Sequence, residues 1–285
     1  MAYRTLISTE DLALHLNDPD WAVVDCRFSL ADPDRGRRDY LDGHIRGAVY
    51  AHLDEDLSGT VVPGKTSRHP LPEFEKAAKV FSRWGIGAGV QVVAYDDAGG
   101  ALAAETLWCM LRWLGHDEVA VLDGGWQSWQ GQGLPVRSGV ENRPERNFIP
   151  RPRPEMLVTT QEVKDLLGEQ PACLVDARTA DRYRGENEVI DPVAGHIPGA
   201  INLPYPENLT SAGKFRSPEE LRQKYLGLLG ELPPERAVFY CGSGVTSIHN
   251  ILAMVHAGLE EPRLYAGSWS EWITDHDLPV SVGAE

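Results

Sequence analysis

The chain repeats itself, and the repeat constrains its fold more than any other feature of the sequence. Val23-Val24-Asp25-Cys26-Arg27 returns as Leu174-Val175-Asp176-Ala177-Arg178, and Gly43-His44-Ile45-Arg46-Gly47-Ala48 returns as Gly195-His196-Ile197-Pro198-Gly199-Ala200. Val92-Val93-Ala94-Tyr95-Asp96 corresponds to Ala237-Val238-Phe239-Tyr240-Cys241, and Gly125-Trp126-Gln127-Ser128-Trp129 to Ser268-Trp269-Ser270-Glu271-Trp272. The offset between matching positions runs from 152 at His44 and His196 down to 143 at Trp126 and Trp269. A period that long signals duplicated domains, not a solenoid of short repeats. At 285 residues the chain is near twice a common domain size of roughly 150. The expected partition is a first domain over 1–137, a proline- and arginine-rich linker over 138–156, and a second domain over 157–285.

Within each half, short apolar runs alternate with amphipathic stretches, the pattern of a parallel sheet flanked by helices. The fold class is therefore α/β, twice over. Strands are expected at Val23–Cys26, Val90–Tyr95 and Val119–Leu122, and again at Cys173–Asp176, Ala237–Tyr240 and Arg263–Tyr265. Helices are expected at Thr9–Leu16, Glu73–Trp84, Ala101–Leu114 and Gln127–Gln130, then Thr160–Leu167, Pro218–Leu229 and Ser247–His256.

The charge balance narrows the partners. With 27 Lys and Arg against 42 Asp and Glu the formal charge is −15, and no basic block is present, so a nucleic acid is not an expected partner. No apolar run reaches membrane-spanning length and the N-terminus lacks an apolar signal region, so no membrane association is expected and the chain reads as cytoplasmic. The four cysteines, at 26, 109, 173 and 241, show no Cys-x-x-Cys spacing. They read as reduced thiols, with no metal and no organic cofactor implied. Cys26 and Cys173 sit in apolar strand patterns and Cys109 on an apolar helix face, which suits core residues.

Cys241 is different. It directly follows an apolar strand and opens the run Cys241-Gly242-Ser243-Gly244-Val245-Thr246, which leads into a helix pattern. Glycines let such a loop curl so that successive N–H groups converge, and the helix start adds positive potential. Both favour a thiolate, so Cys241 is the candidate nucleophile. The first half holds Asp96 at the equivalent place, followed by Asp97-Ala98-Gly99-Gly100, so it keeps glycines and lacks the sulfur. Only the second half is expected to be active.

Asp-x-Arg after a strand, Gly-His-Ile-x-Gly-Ala, the Cys-Gly-Ser-Gly-Val-Thr loop and Gly-Ser-Trp-x-x-Trp, nearly all in duplicate, resemble the tandem rhodanese sulfurtransferases over about residues 5–280. That resemblance implies that Cys241 accepts a sulfur atom as a persulfide and passes it on. A phosphatase of related fold would carry Arg six positions after the cysteine, where this chain has Ser247. Thiosulfate-using members resemble Cys-Arg-Lys-Gly-Val-Thr, with two cations for a dianion, whereas here Gly242 and Ser243 are uncharged. The loop is similar to that of the 3-mercaptopyruvate-using branch, with thiosulfate as the alternative donor and a persulfide carrier without turnover as a third reading. Expected acceptors are cyanide, small thiols or a thioredoxin-like reductant.

The resemblance also implies roles. Arg182 matches the substrate-binding arginine, alongside Gly242, Gly244, Val245 and Thr246 of the loop. A second arginine found in some members has no counterpart, because Glu186–Ala194 contains none. For proton transfer the family couples the loop serine, here Ser243, to a histidine and an acid of the first domain. His44 and Asp34 are the matching candidates, with Asp32 as the alternative acid and a site across the domain boundary.

Overall fold

Val92, Val93 and Ala94 are all buried, without alternation, which a strand shows only when both of its faces are covered. In the computed structural model, which describes residues 2–167 and 174–284, this run is the middle strand of a parallel sheet. Cys173 lies outside the described residues. The backbone gathers into two units that are not continuous in sequence. One holds the residues up to Gly59, Leu71–Arg153 and Ser211–Lys214; the other holds Thr60–Pro70, Pro154–Thr210 and the residues from Phe215 onward. The segment expected as a linker therefore belongs to the first unit as far as Arg153.

In the first unit the strands Leu6–Ile7, Val119–Leu122, Gln91–Tyr95, Trp21–Asp25 and Val49–Tyr50 lie side by side in that order, all parallel. In the second, Arg263–Leu264, Val238–Tyr240, Leu174–Asp176 and Ile201–Asn202 do the same. A parallel bridge from Leu157 to Leu264 takes the place of the first strand. Asp96 and Cys241 thus each stand just past the carboxyl end of an inner strand. In open parallel sheets that edge is where sites are built.

Helices Pro218–Leu229 and Ser247–His256 have the expected bounds. Capping boxes start two helices as their sequences allow: Thr159 with Glu162 before Thr160–Asp165, and Ser217 with Glu220 before Pro218–Leu229. The helix Arg35–Asp42 was not expected, because only Gly36 and Tyr40 of its eight residues are buried and no apolar period marks it. Both tryptophan pairs are core: Trp126 and Trp129 pack with Val23, Val93 and Tyr95, and Trp269 and Trp272 with Val238 and Tyr240.

The repeated Asp-x-Arg is a brace in each half. Arg27 donates Nε and Nη2 to the Asp25 carboxylate, at 3.1 and 2.6 Å, and Nη2 also to the Gly43 carbonyl. Arg178 does the same with Asp176 and the Gly195 carbonyl. Each guanidinium lies over a tryptophan ring, Trp126 at 4.4 Å and Trp269 at 4.9 Å. These buried pairs tie the strand end to the Gly-His-Ile turn and fix its geometry; their value lies in register more than in net stability.

Candidate active site

Cys241 is almost wholly buried, and burial by itself pushes a thiol up. The polar groups around it outweigh burial: the Thr246 hydroxyl, the Ser243 N–H, and the side chain and N–H of Ser247 hold the thiol below its ordinary value. Cys26, which follows the strand Trp21–Asp25, shows the opposite balance. Burial raises it well above the ordinary value, and the charges of Asp25, Asp96 and Asp56 raise it further. Of these two thiols, Cys241 is the one held toward its thiolate form.

The loop owes its shape to two backbone positions. Gly244 has φ +81°, and a Cβ there would collide with the Ala266 carbonyl, so only glycine fits. Ser268 is the one non-glycine with positive φ among the described residues, at +52°. That strain serves the loop: the Ser268 hydroxyl accepts the Cys241 N–H at 3.1 Å and donates to the Tyr265 carbonyl at 2.9 Å. Trp269 N–H and Ser270 N–H close the arrangement by donating to the carbonyls of Cys241 and Gly242. Val245, within the loop, is buried.

Arg182 comes to this loop on a short helix, Ala180–Tyr183. Its Nε and Nη2 engage Glu188, both at 3.0 Å, and Nη2 reaches Asp191 at 3.1 Å. The guanidinium lies beside Gly242, its two terminal nitrogens 3.6 and 3.7 Å from where a Cβ at that position would stand. Glu188 sits below the usual carboxylate range: burial works against it, but the N–H groups of Asp191 and Ile190, together with Arg182, prevail. Burial raises Asp191 despite the Arg68 charge beside it.

The histidine on Ser243 is His69. Its Nδ1 lies 2.8 Å from the Ser243 hydroxyl, and the half-buried ring comes from the Thr60–Pro70 segment that belongs to the second unit. His44, the candidate suggested by sequence, is in the first unit and wholly buried. Its ring stacks on Tyr40 at 4.1 Å and its Nδ1 meets the Tyr40 carbonyl at 2.7 Å. His196 repeats both features with Tyr183, at 3.8 and 2.8 Å, which marks the pair as turn braces. Asp34 is an exposed residue ahead of the helix Arg35–Asp42, with no capping bond, and Asp32 is exposed and paired with Arg38. Neither belongs to the unit that holds Cys241.

A signal for His69 was present in the spacing. From His44 to Asp96 is 52 residues, but from His196 to Cys241 only 45, so the first half carries seven extra residues in the stretch that contains Arg68 and His69. An insertion unique to one copy of a duplication is a place to look for added chemistry.

A model of the rhodanese-like domain matches the chain twice, over residues 8–132 and 159–275. The chain belongs to the rhodanese family. Among similar rhodaneses is a probable 3-mercaptopyruvate sulfurtransferase of Pseudomonas aeruginosa, 46% identical over 99% of this chain and 100% of the relative. A putative thiosulfate sulfurtransferase of Mycobacterium tuberculosis is 35% identical over 98% of each. The solved structure of a 3-mercaptopyruvate sulfurtransferase from Leishmania major superposes with a TM-score of 0.83 at 35% identity, covering 94% of this chain and 74% of that one. No helix of this rhodanese is long and apolar enough to cross a membrane, among the described residues.

Proposed function

We propose that the chain is a sulfurtransferase that takes sulfur from 3-mercaptopyruvate through a persulfide on Cys241. The observation that carries the reading is the His69–Ser243 hydrogen bond beside a thiol held toward its thiolate form. The Cys241 thiolate attacks the donor sulfur, an S–S bond forms, and the donor's C–S bond breaks with its electrons passing to carbon as pyruvate enolate. The thiol proton of the donor must reach that carbon to release pyruvate. Ser243 and His69 form a hydroxyl–imidazole relay suited to carrying it, while the loop N–H groups and the Thr246 and Ser247 hydroxyls stabilise the anionic persulfide. The outer sulfur then passes to cyanide, a small thiol or a thioredoxin-like reductant, restoring Cys241. That Cys26, Cys109 and Cys241 are free of disulfides and buried supports a cytoplasmic setting.

One observation favours thiosulfate as the donor instead. Arg68 stands beside Arg182 at Gly242, giving this site a second cation that the loop itself lacks. Charge balance weighs against it: Arg68 and Arg182 face the carboxylates of Asp191 and Glu188, leaving little net positive charge for a dianion. Thiocyanate formation from cyanide decides between them. The kcat/KM for 3-mercaptopyruvate is expected to exceed that for thiosulfate by a wide margin; the reverse order overturns the donor assignment.

A further inference from the structure

A cavity of about 470 Å³ lies wholly within the first unit, the one whose loop lacks the sulfur. Its volume falls in the range of small-molecule sites, roughly 300–1,000 Å³. We propose that this cavity binds a small monocarboxylate with an aromatic body.

Helix Arg35–Asp42, strand Val49–Tyr50, the end of helix Phe74–Arg83 and residues 140–143 wall the cavity. The last of these belongs to the stretch expected as a linker, and it is fastened in place. The Gly139 N–H donates to the Leu41 carbonyl at 2.9 Å, and the Glu141 N–H to the Tyr40 hydroxyl at 3.0 Å. The apolar lining is Tyr40, Tyr50 and Trp84 with Leu41, Val49 and Val140. Leu41 and Val140 are exposed, so a bound apolar body would cover them.

The charges set the sign of the ligand. Arg37 pairs with Glu55, and Arg83 with Asp56 at 2.9 Å. Arg137 engages Glu141 at 3.5 Å, and Arg146 holds Asp20 at 2.7 Å. Arg143 is left over. Its Nη2 donates to the Pro19 carbonyl at 3.2 Å, its buried Nε meets no acceptor, and no carboxylate among the described residues pairs with it. Burial, then the Arg146 charge, hold Arg143 below its ordinary value against the pull of Asp20. A cation in that state gains from an incoming anion, and a planar guanidinium suits a carboxylate. Arg37 already lies over the Tyr50 ring at 5.2 Å, so a planar cation and aromatic side chains stand together on the wall that an aromatic body would meet. One unpaired positive charge matches a monoanion.

The second copy has the hollow without the chemistry. There Tyr183 stands for Tyr40, Ile201 and Asn202 stand for Val49 and Tyr50, and a space of about 410 Å³ remains. Its one charged lining residue among those described, Arg184, is paired with Glu186 at 2.7 Å. The unpaired cation and the cluster of rings belong to the first copy alone, which kept this pocket although its own loop carries no sulfur.

Titration calorimetry on the full chain tests the site, with phenylacetate and indole-3-acetate as probes and their amides as neutral counterparts. Cys241 is first alkylated with iodoacetamide, which blocks the cysteine loop to the probes. At least one acid is expected to bind once per chain with a Kd at or below roughly 1 mM, and its amide roughly 10- to 100-fold more weakly, the size of a charge-assisted contact. Arg143→Gln should bring the acid down to the level of its amide, and Arg143→Lys, which keeps the charge without the fork, should fall between. Val140 is 69% exposed, so Val140→Asp should fold normally while its charge weakens the acid by about tenfold or more; it keeps the test sound should the glutamine variant fail to fold. Absence of binding by both acids, equal binding of acid and amide, or unaltered affinity in a folded Arg143→Gln or Val140→Asp overturns the proposal.

Discussion

The loop after Tyr95 and the loop after Tyr240 share a backbone and differ in what the backbone holds. In the first, the Asp96 carboxylate accepts the N–H groups of Ala98, Gly100 and Leu102, at 2.9, 2.8 and 3.2 Å. In the second, the N–H groups of Ser243 and Ser247, the matching positions to Ala98 and Leu102, serve the Cys241 sulfur. The hydroxyls are gone from the first copy, where Ala98, Ala101 and Leu102 replace Ser243, Thr246 and Ser247. Gly125, with φ +54°, adopts the turn that Ser268 adopts with φ +52°, so there the hydroxyl on the loop is missing too. A cradle of amides is therefore the inherited part, able to hold an anion in either copy. The first copy fills it with its own carboxylate; the second leaves it to a thiolate and adds hydroxyls to tune it.

This contrast can be broken most severely by making the second loop like the first. Cys241→Asp is expected to abolish turnover with either donor, since a carboxylate cannot form a persulfide, while the fold persists because Asp96 shows that the cradle accepts a carboxylate. Circular dichroism and thiocyanate formation check the two halves of that statement. The next effect separates the two histidines. His69→Gln should lower kcat by roughly 100- to 10,000-fold, the range for a proton carrier. His44→Gln should change kcat less than about threefold and instead lower stability by about 1–3 kcal/mol through the lost bond to Tyr40. Urea titration and kcat on the same pair of variants give the answer.

A smaller change sharpens the role of the hydroxyls. Because Thr246 is the leading group that lowers Cys241, Thr246→Val should move the pH at which the thiol ionises upward by roughly one to two pH units. The midpoint of iodoacetamide reactivity against pH reads this directly, and in the wild type it should lie below that of a free cysteine. The smallest effect concerns Asp96, which burial raises above its ordinary value despite three amides. A carboxyl raised on folding stabilises fully below its unfolded value, near 4, and loses that contribution as pH rises through the folded value. Asp96→Asn lacks this dependence, so its Tm relative to wild type should increase as pH is taken from 4 to neutrality, with little effect on turnover.

Much of this was legible in the residues. The duplication fixed two α/β units, and the apolar runs marked the inner strands to within a residue or two, because strands covered on both faces have no polar positions to blur them. Cys241 stood out because strand, glycines and helix follow one another without a gap. Arg68 and His69 were hidden for a physical reason: they lie in a segment without apolar periodicity, and the Ser243 that His69 contacts is 174 residues away. His44 is the histidine that the family resemblance suggests, but its recurrence as His196 points to a shared structural need, here the stacking on Tyr40 and Tyr183. Chemistry confined to one copy is better sought where the copies differ.

The central claim is that the second loop alone takes up sulfur, and a single turnover with 3-mercaptopyruvate in the absence of acceptor tests it most directly. Intact mass and peptide mapping should find one added sulfur atom per chain, on Cys241, with one pyruvate released, and neither in Cys241→Ser. Sulfur on Cys26 or Cys109, or pyruvate released without sulfur on Cys241, would contradict the account.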